Sequence, residues 1–129
     1  MVAFRPNEHV RQRKDFEQAY EHGAKLNGRY MTLFVRVNTL GHARLGIAAT
    51  RKIGGAVIRN RAKRLARELF RHHKPPANLD IVVIPRREFL DASFPSLERE
   101  FAALMERGRK SPQRARAGRP PRPSPHPSV

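Results

Sequence analysis

The run from Thr50 to Arg71 constrains this chain more than any other stretch. Gly54 and Gly55 open it, and neither glycine nor proline returns before Pro75. The run therefore predicts a helix from about Gly55 to Arg71. At roughly 100° per residue, Ile58, Ala62, Leu65, Ala66 and Leu69 collect on one side. Asn60, Lys63, Arg64, Arg67 and Arg71 collect opposite, with Arg59 and Arg61 flanking the apolar stripe. Like charges four apart (Arg59 and Lys63, Lys63 and Arg67, Arg67 and Arg71) cost an isolated helix a few tenths, ~0.2–0.5 kcal/mol per pair, and Glu68 is the one acid nearby. A polyanionic partner would offset that repulsion. Guanidinium forks match phosphate oxygens, and Asn60 can both donate to and accept from a base edge or sugar hydroxyl. The competing account is a solvated surface face, the usual fate of a charge run.

Composition favours the polyanion. Among 129 residues, 27 are Lys or Arg and 11 are Asp or Glu, a formal net charge of +16. Such an imbalance implies a large acidic partner. Cysteine is absent, which excludes a disulfide framework and a thiolate metal site. Neither a signal-peptide core nor a membrane-spanning run is visible, so a cytoplasmic protein with no membrane partner is expected. A membrane surface would want bulky apolar residues behind the cations. Ala62 and Ala66 suit packing on a sheet instead.

The other elements can be placed around this helix. A short helix is expected from about Lys14 to His22, ended by Gly23. Phe16 and Tyr20, four apart, share a face with Ala19 and Arg13. They can anchor the helix in the core, or one ring edge can line a groove for unstacked bases. Arg29 to Val37 reads as a strand with Met31, Leu33, Val35 and Val37 on one face and Tyr30, Thr32, Phe34 and Arg36 on the other. That second face would suit single-stranded RNA, or it could lie under the first helix. Ala43 to Thr50 reads as another strand. Its Arg44, Gly46, Ala48 and Thr50 face one way, and the small residues among them leave room for something to approach the backbone, though glycine in a strand can also mark a bulge. Arg51 and Lys52 carry the basic surface to the mouth of the long helix. His72 and His73 read as surface residues pointing in different directions, with no metal site. Asp80 to Pro85 reads as an interior strand. A last helix follows, capped by Ser96, with Leu97, Phe101, Leu104 and Met105 inward. From Gly108 the chain turns to Arg, Pro, Ser, Gly and Ala, which predicts a folded domain over 1–107 and a disordered basic tail over 108–129.

No catalytic constellation is apparent. The acids are scattered, no pair makes a two-metal carboxylate site, and the histidines lack an acid–base partner arrangement.

The block from Lys52 to Glu68, with its two glycines, the Val57-Ile58 pair and Arg59-Asn60-Arg61 followed by spaced cations, resembles the signature of the bacterial ribonuclease P protein subunit. Asp15 to Gly23 is similar to that family's first helix, whose aromatics border a cleft for the leader of precursor tRNA, and Phe34 falls at a leader-contacting position. The resemblance spans about residues 5 to 107. It implies an α/β sandwich in which a mixed sheet of about four strands is backed by helices, in the order α-β-β-(β)-α-β-α. The arrangement is like that of ribosomal protein S5 domain 2, with a left-handed crossover against the common rule. It implies that Arg51, Lys52, Arg59, Asn60, Arg61, Lys63, Arg64 and Arg67 bind the catalytic RNA. Arg13, Phe16, Tyr20, Phe34, Arg36 and Arg44 then serve the leader. The implied partners are ribonuclease P RNA and precursor tRNA, in a one-protein, one-RNA holoenzyme with a monomeric protein. The RNA holds the catalytic Mg²⁺ and makes the cut. The alternatives are a general RNA-binding protein, ribosomal or chaperone, and a DNA-binding module with its basic helix in a major groove.

Overall fold

The computed structural model describes residues 8–111. In chain order these form α1 (Arg13–His22), β1 (Ala24–Asn27), β2 (Met31–Val37), β3 (Arg44–Ile47), α2 (Ala56–His72), β4 (Leu79–Pro85) and α3 (Phe94–Lys110), with short 3-10 turns at Arg51–Ile53 and Arg87–Asp91. One mixed sheet runs β1-β2-β4-β3. β1 and β4 pair antiparallel with β2, and β3 pairs parallel with β4. The parallel pair needs a long crossover, and α2 supplies it.

The period-2 alternation of β2 splits its side chains between two cores. Met31, Leu33 and Val35 join Leu45, Ile81 and Val83 beneath Ala62, Ala66, Leu69 and Phe70 of α2 and Leu97, Phe101 and Leu104 of α3. Each large side chain fully buried there contributes about 1.5–3 kcal/mol. The other face carries a smaller cluster, with Phe34 and Val82 under Phe16 and Ala19 of α1 and against Val10. The expected sandwich is the sheet with α2 and α3, and α1 lies across part of the opposite face.

Several boundaries differ from the sequence reading, each for a physical reason. The third strand before α2, which had no residues assigned, is Ala24–Asn27, alternately buried and exposed. The cap of α3 is Ser93 rather than Ser96, its Oγ accepting from the Ser96 amide at 3.2 Å; Pro95 sits in the first turn, where a missing N–H costs nothing. α3 also continues past residue 107 to Lys110, because Gly108 is there for packing: a Cβ would stand 2.5 Å from Val35 Cγ2 and 2.6 Å from Leu26 Cδ1. The rest of the expected tail, 112–129, lies outside the described residues.

The edge strand β3 is covered by the segment before α1. The Val10 amide donates to the Leu45 carbonyl at 2.8 Å, and His9 bridges to Leu45 in parallel. Covering an edge in this way removes a template for unwanted pairing. Lys74 fastens the segment by donating to Glu8 Oε2 at 2.6 Å while lying 5.2 Å over the Phe70 ring.

Candidate nucleic-acid interface

α2 begins where β3 has left the sheet. Thr50 Oγ1 accepts from the Lys52 amide at 3.3 Å and starts the 3-10 turn. Gly54, at φ 145°, reverses the chain in a conformation that L side chains rarely adopt. Gly55 then caps α2 without a side-chain acceptor.

The outer face of α2 is as the periodicity predicts. Arg51 and Lys52, in the turn before the helix, and Asn60, Arg61 and Arg64 on it are exposed; Arg59, Lys63 and Arg67 are half-buried. Arg59 Nη1 donates to the Gly54 carbonyl at 3.1 Å, which braces the glycine turn. The helix's acid, Glu68, is occupied by Arg71 and by His72, whose Nε2 lies 3.3 Å from Oε1. Among the described residues, none of Arg51, Lys52, Arg59, Arg61, Lys63, Arg64 and Arg67 has an acid within ion-pair distance. Seven cations stand here without a counter-charge among the described residues, an arrangement chemically suited to phosphate oxygens. The exposed Val57 interrupts this surface near its start.

The opposite side of the sheet departs from the sequence reading. Phe16 and Phe34 are buried, at 5% and 4% exposure. The Phe34 ring takes the edge of Tyr20 at 4.9 Å between centroids and Lys25 Nζ at 5.8 Å. Neither phenylalanine presents a free face for a base, so the core account holds for both, and half-buried Tyr20 is the aromatic at the surface. The space left by Gly46 is likewise filled from within: a Cβ there would stand 2.9 Å from Phe16 Cε1 and 2.9 Å from Val10 Cβ.

The three arginines expected at the leader, Arg13, Arg36 and Arg44, each stand within ion-pair distance of an acid. Arg13 Nε reaches Glu17 at 3.2 Å on the exposed surface of α1. Arg44, expected beside the leader, is committed to acids. Its Nε and Nη2 donate to Asp80 Oδ1 and Oδ2 at 2.9 and 2.8 Å, and Nη1 reaches Asp15 at 3.4 Å. The hydrogen bonds Arg44 donates to Asp80 raise its pKa above its already high ordinary value. Arg36 lies at the margin of the same group, 3.6 Å from Asp80 Oδ2.

Lys25 was missed. It is exposed on the α1 side of the sheet edge, in register with Phe34. The alternation of Ala24, Lys25, Leu26 and Asn27 was the available signal. His72 and His73, expected to diverge, both meet Glu98: His72 Nδ1 and His73 Nε2 lie 3.5 and 3.2 Å from its Oε2. Among the described residues no group of three or more His, Cys, Asp or Glu is placed to hold a metal ion. No helix among them is long and apolar enough to cross a membrane.

Comparison with known proteins agrees with this arrangement. The family model for Ribonuclease P matches residues 4–109. A relative from Syntrophus aciditrophicus, the ribonuclease P protein component, is 37% identical over 114 residues, covering 87% of this chain and 93% of its own. The component from Thermotoga maritima is 38% identical over 111 residues, 81% of this chain and 95% of that one. Its solved structure superposes with a TM-score of 0.70, covering 78% of this chain and 96% of the other. A Staphylococcus aureus RNase P protein structure, 28% identical, superposes at 0.67 over 77% and 93% of the two chains. The chain with the glycine-opened cationic helix therefore belongs to the ribonuclease P protein family.

Proposed function

We infer that this chain is the protein component of ribonuclease P, acting in removal of the 5′ leader from precursor tRNA. The observation that carries the reading is the cationic surface formed by the turn at Arg51–Ile53 and the face of α2, on which seven cations lack acids among the described residues, in a chain matched to the family over 4–109. Protein and RNA together form the endoribonuclease. In this reading the RNA subunit holds the Mg²⁺ ions and performs the cut; among the described residues no group of three or more His, Cys, Asp or Glu is placed to hold a metal ion. The protein supplies positive charge, one copy per RNA in the cytoplasm. Arg51, Lys52, Arg59, Asn60, Arg61, Lys63, Arg64 and Arg67 bind the RNA subunit. Tyr20, Lys25 and Arg36 line the path of the leader, and Phe16 and Phe34 support that path from the core.

The test is cleavage of a precursor tRNA at low Mg²⁺ by the protein and a bacterial ribonuclease P RNA, each alone and together. Cutting at the mature 5′ end only by the mixture is expected. An RNA that gains nothing from the protein would point to a general RNA-binding protein, and cutting by protein alone would place an active site in this chain.

A further inference from the structure

Strand register brings together three charges that are far apart in the chain. Asp80 on β4 stands opposite Arg36 on β2 and opposite Arg44 on β3. By the two-residue alternation of strands, all three lie on the face that carries Phe34, Val82 and α1. They form one row across the sheet, cation–anion–cation, with Asp15 of α1 added at the Arg44 end. The two arginines are held very differently. Arg44, 14% exposed, makes a bidentate contact with Asp80 and a third contact to Asp15. Arg36, 26% exposed, has one contact at 3.6 Å, longer than a hydrogen bond. Asn38 Nδ2 donates to Asp80 Oδ1 at 2.7 Å.

We propose that the pair divides its work: Arg44 is a positioning residue that locks the first turn of α1 onto the sheet through Asp80 and Asp15, and Arg36 is the ligand for a phosphodiester oxygen of the leader. The proposal rests on the function inferred above and assigns roles within it. Asp80 is 1% exposed, and a buried carboxylate stripped of its guanidinium partner is costly. Drawing Arg44 toward a phosphate would strip it and leave a bare acid beside the incoming anion. Arg36 can turn outward and give up only its single long contact, while Arg44 and Asn38 keep Asp80 satisfied. Locking α1 matters because the helix has ten residues and no side-chain cap at Gln12, too short to hold itself. Asp15 precedes Phe16 directly, and Tyr20 lies on the same short helix. The Asp15–Arg44 contact therefore fixes how far the Tyr20 edge stands from Arg36 and Lys25.

The experiment uses the reconstituted holoenzyme and measures affinity for precursor and mature tRNA across a salt series. Arg36→Gln should weaken precursor binding about tenfold, the worth of one charged hydrogen bond, with mature tRNA unchanged. It should also flatten the salt slope by about 0.7, the value for one contact to a single strand. Asp15→Asn is the sharper variant. It removes a negative charge near the leader, so electrostatics alone would tighten precursor binding. Positioning requires the opposite: weaker precursor binding at unchanged salt slope, unchanged mature tRNA affinity, and recovery with Asp15→Glu. Arg44→Gln should behave like Asp15→Asn if it folds, and the Asp15 variants decide the matter if it does not. Tighter precursor binding by Asp15→Asn, or a salt slope unchanged by Arg36→Gln, would overturn the division. A wild-type holoenzyme with no preference for precursor would instead overturn the functional reading on which it rests.

Discussion

The outer face of α2 and the α1 side of the sheet are built from the same basic residues and put them to different use. On α2 the arginines and lysines stand on a helix whose neighbouring acid is already occupied by Arg71 and His72. On the sheet, Arg36 and Arg44 flank Asp80, and Asp15 descends from α1 to complete a neutral group. The first surface keeps its charge uncompensated among the described residues. The second spends most of its charge on its own fold. Net charge alone cannot separate the two, because every arginine adds the same amount to it.

The largest expected effect sets these surfaces directly against each other. Asp80→Ala leaves Arg44 without its bidentate partner and Asn38 without an acceptor, a loss of about 3–5 kcal/mol in urea unfolding. Arg64→Ala removes an exposed side chain with no described partner and should shift stability by less than about 0.5 kcal/mol. It should instead weaken binding of the RNA subunit and lower its salt slope by about 0.7–0.9. Equal stability losses for the two variants would erase the distinction, as would RNA binding that ignores Arg64.

A second pair of variants probes the same contrast through space rather than charge. Gly46→Ala forces a methyl against Phe16 and Val10, and overpacking of this kind costs about 1–3 kcal/mol. At Gly55, on the α2 side, a Cβ meets nothing within 4 Å. Gly55→Ala should therefore cost only the poorer cap, about 0.5–1 kcal/mol. Thermal unfolding of both ranks them. A freely tolerated Gly46→Ala would mean that α1 is not seated where Phe16 places it.

What the sequence made legible follows from how far each interaction reaches. α2 was readable because a helix face is set by residues three and four apart, so Ile58 to Leu69 and Asn60 to Arg67 sort themselves locally. The two faces of β2 were readable for the same reason at a spacing of two. Asp80 was not, since its partners are 44 and 36 residues away and meet it only through strand register. Phe16 and Phe34 were ambiguous because an aromatic face beneath a helix and one beneath a base have the same pattern along the chain. The boundary at Gly108 followed composition, and composition does not tell a glycine of a linker from one at a close approach. Only the positions of Val35 and Leu26 decide which.

The smallest effect lies where the two surfaces meet. His9 bridges to β3 through its backbone, and its ring feels Arg67 of α2. Burial lowers its pKa from the ordinary value of 6.5; Arg11 and Arg67 push the same way, and Glu8 opposes them. The unfolded chain therefore binds this proton more readily than the folded one. Stability must rise with pH across the window between the folded value and 6.5, and fall as the solution is acidified through it. In His9→Gln that share of the pH dependence should vanish. The stability difference between wild type and variant should be flat above the window and turn against the wild type below it. Bound RNA adds a second arm. A phosphate against Arg67 cancels one of the charges that depress His9, so its imidazole should titrate at higher pH in the complex, a shift readable from its NMR resonances. Identical titration with and without RNA would mean that no phosphate settles beside Arg67, and would take that residue out of the interface.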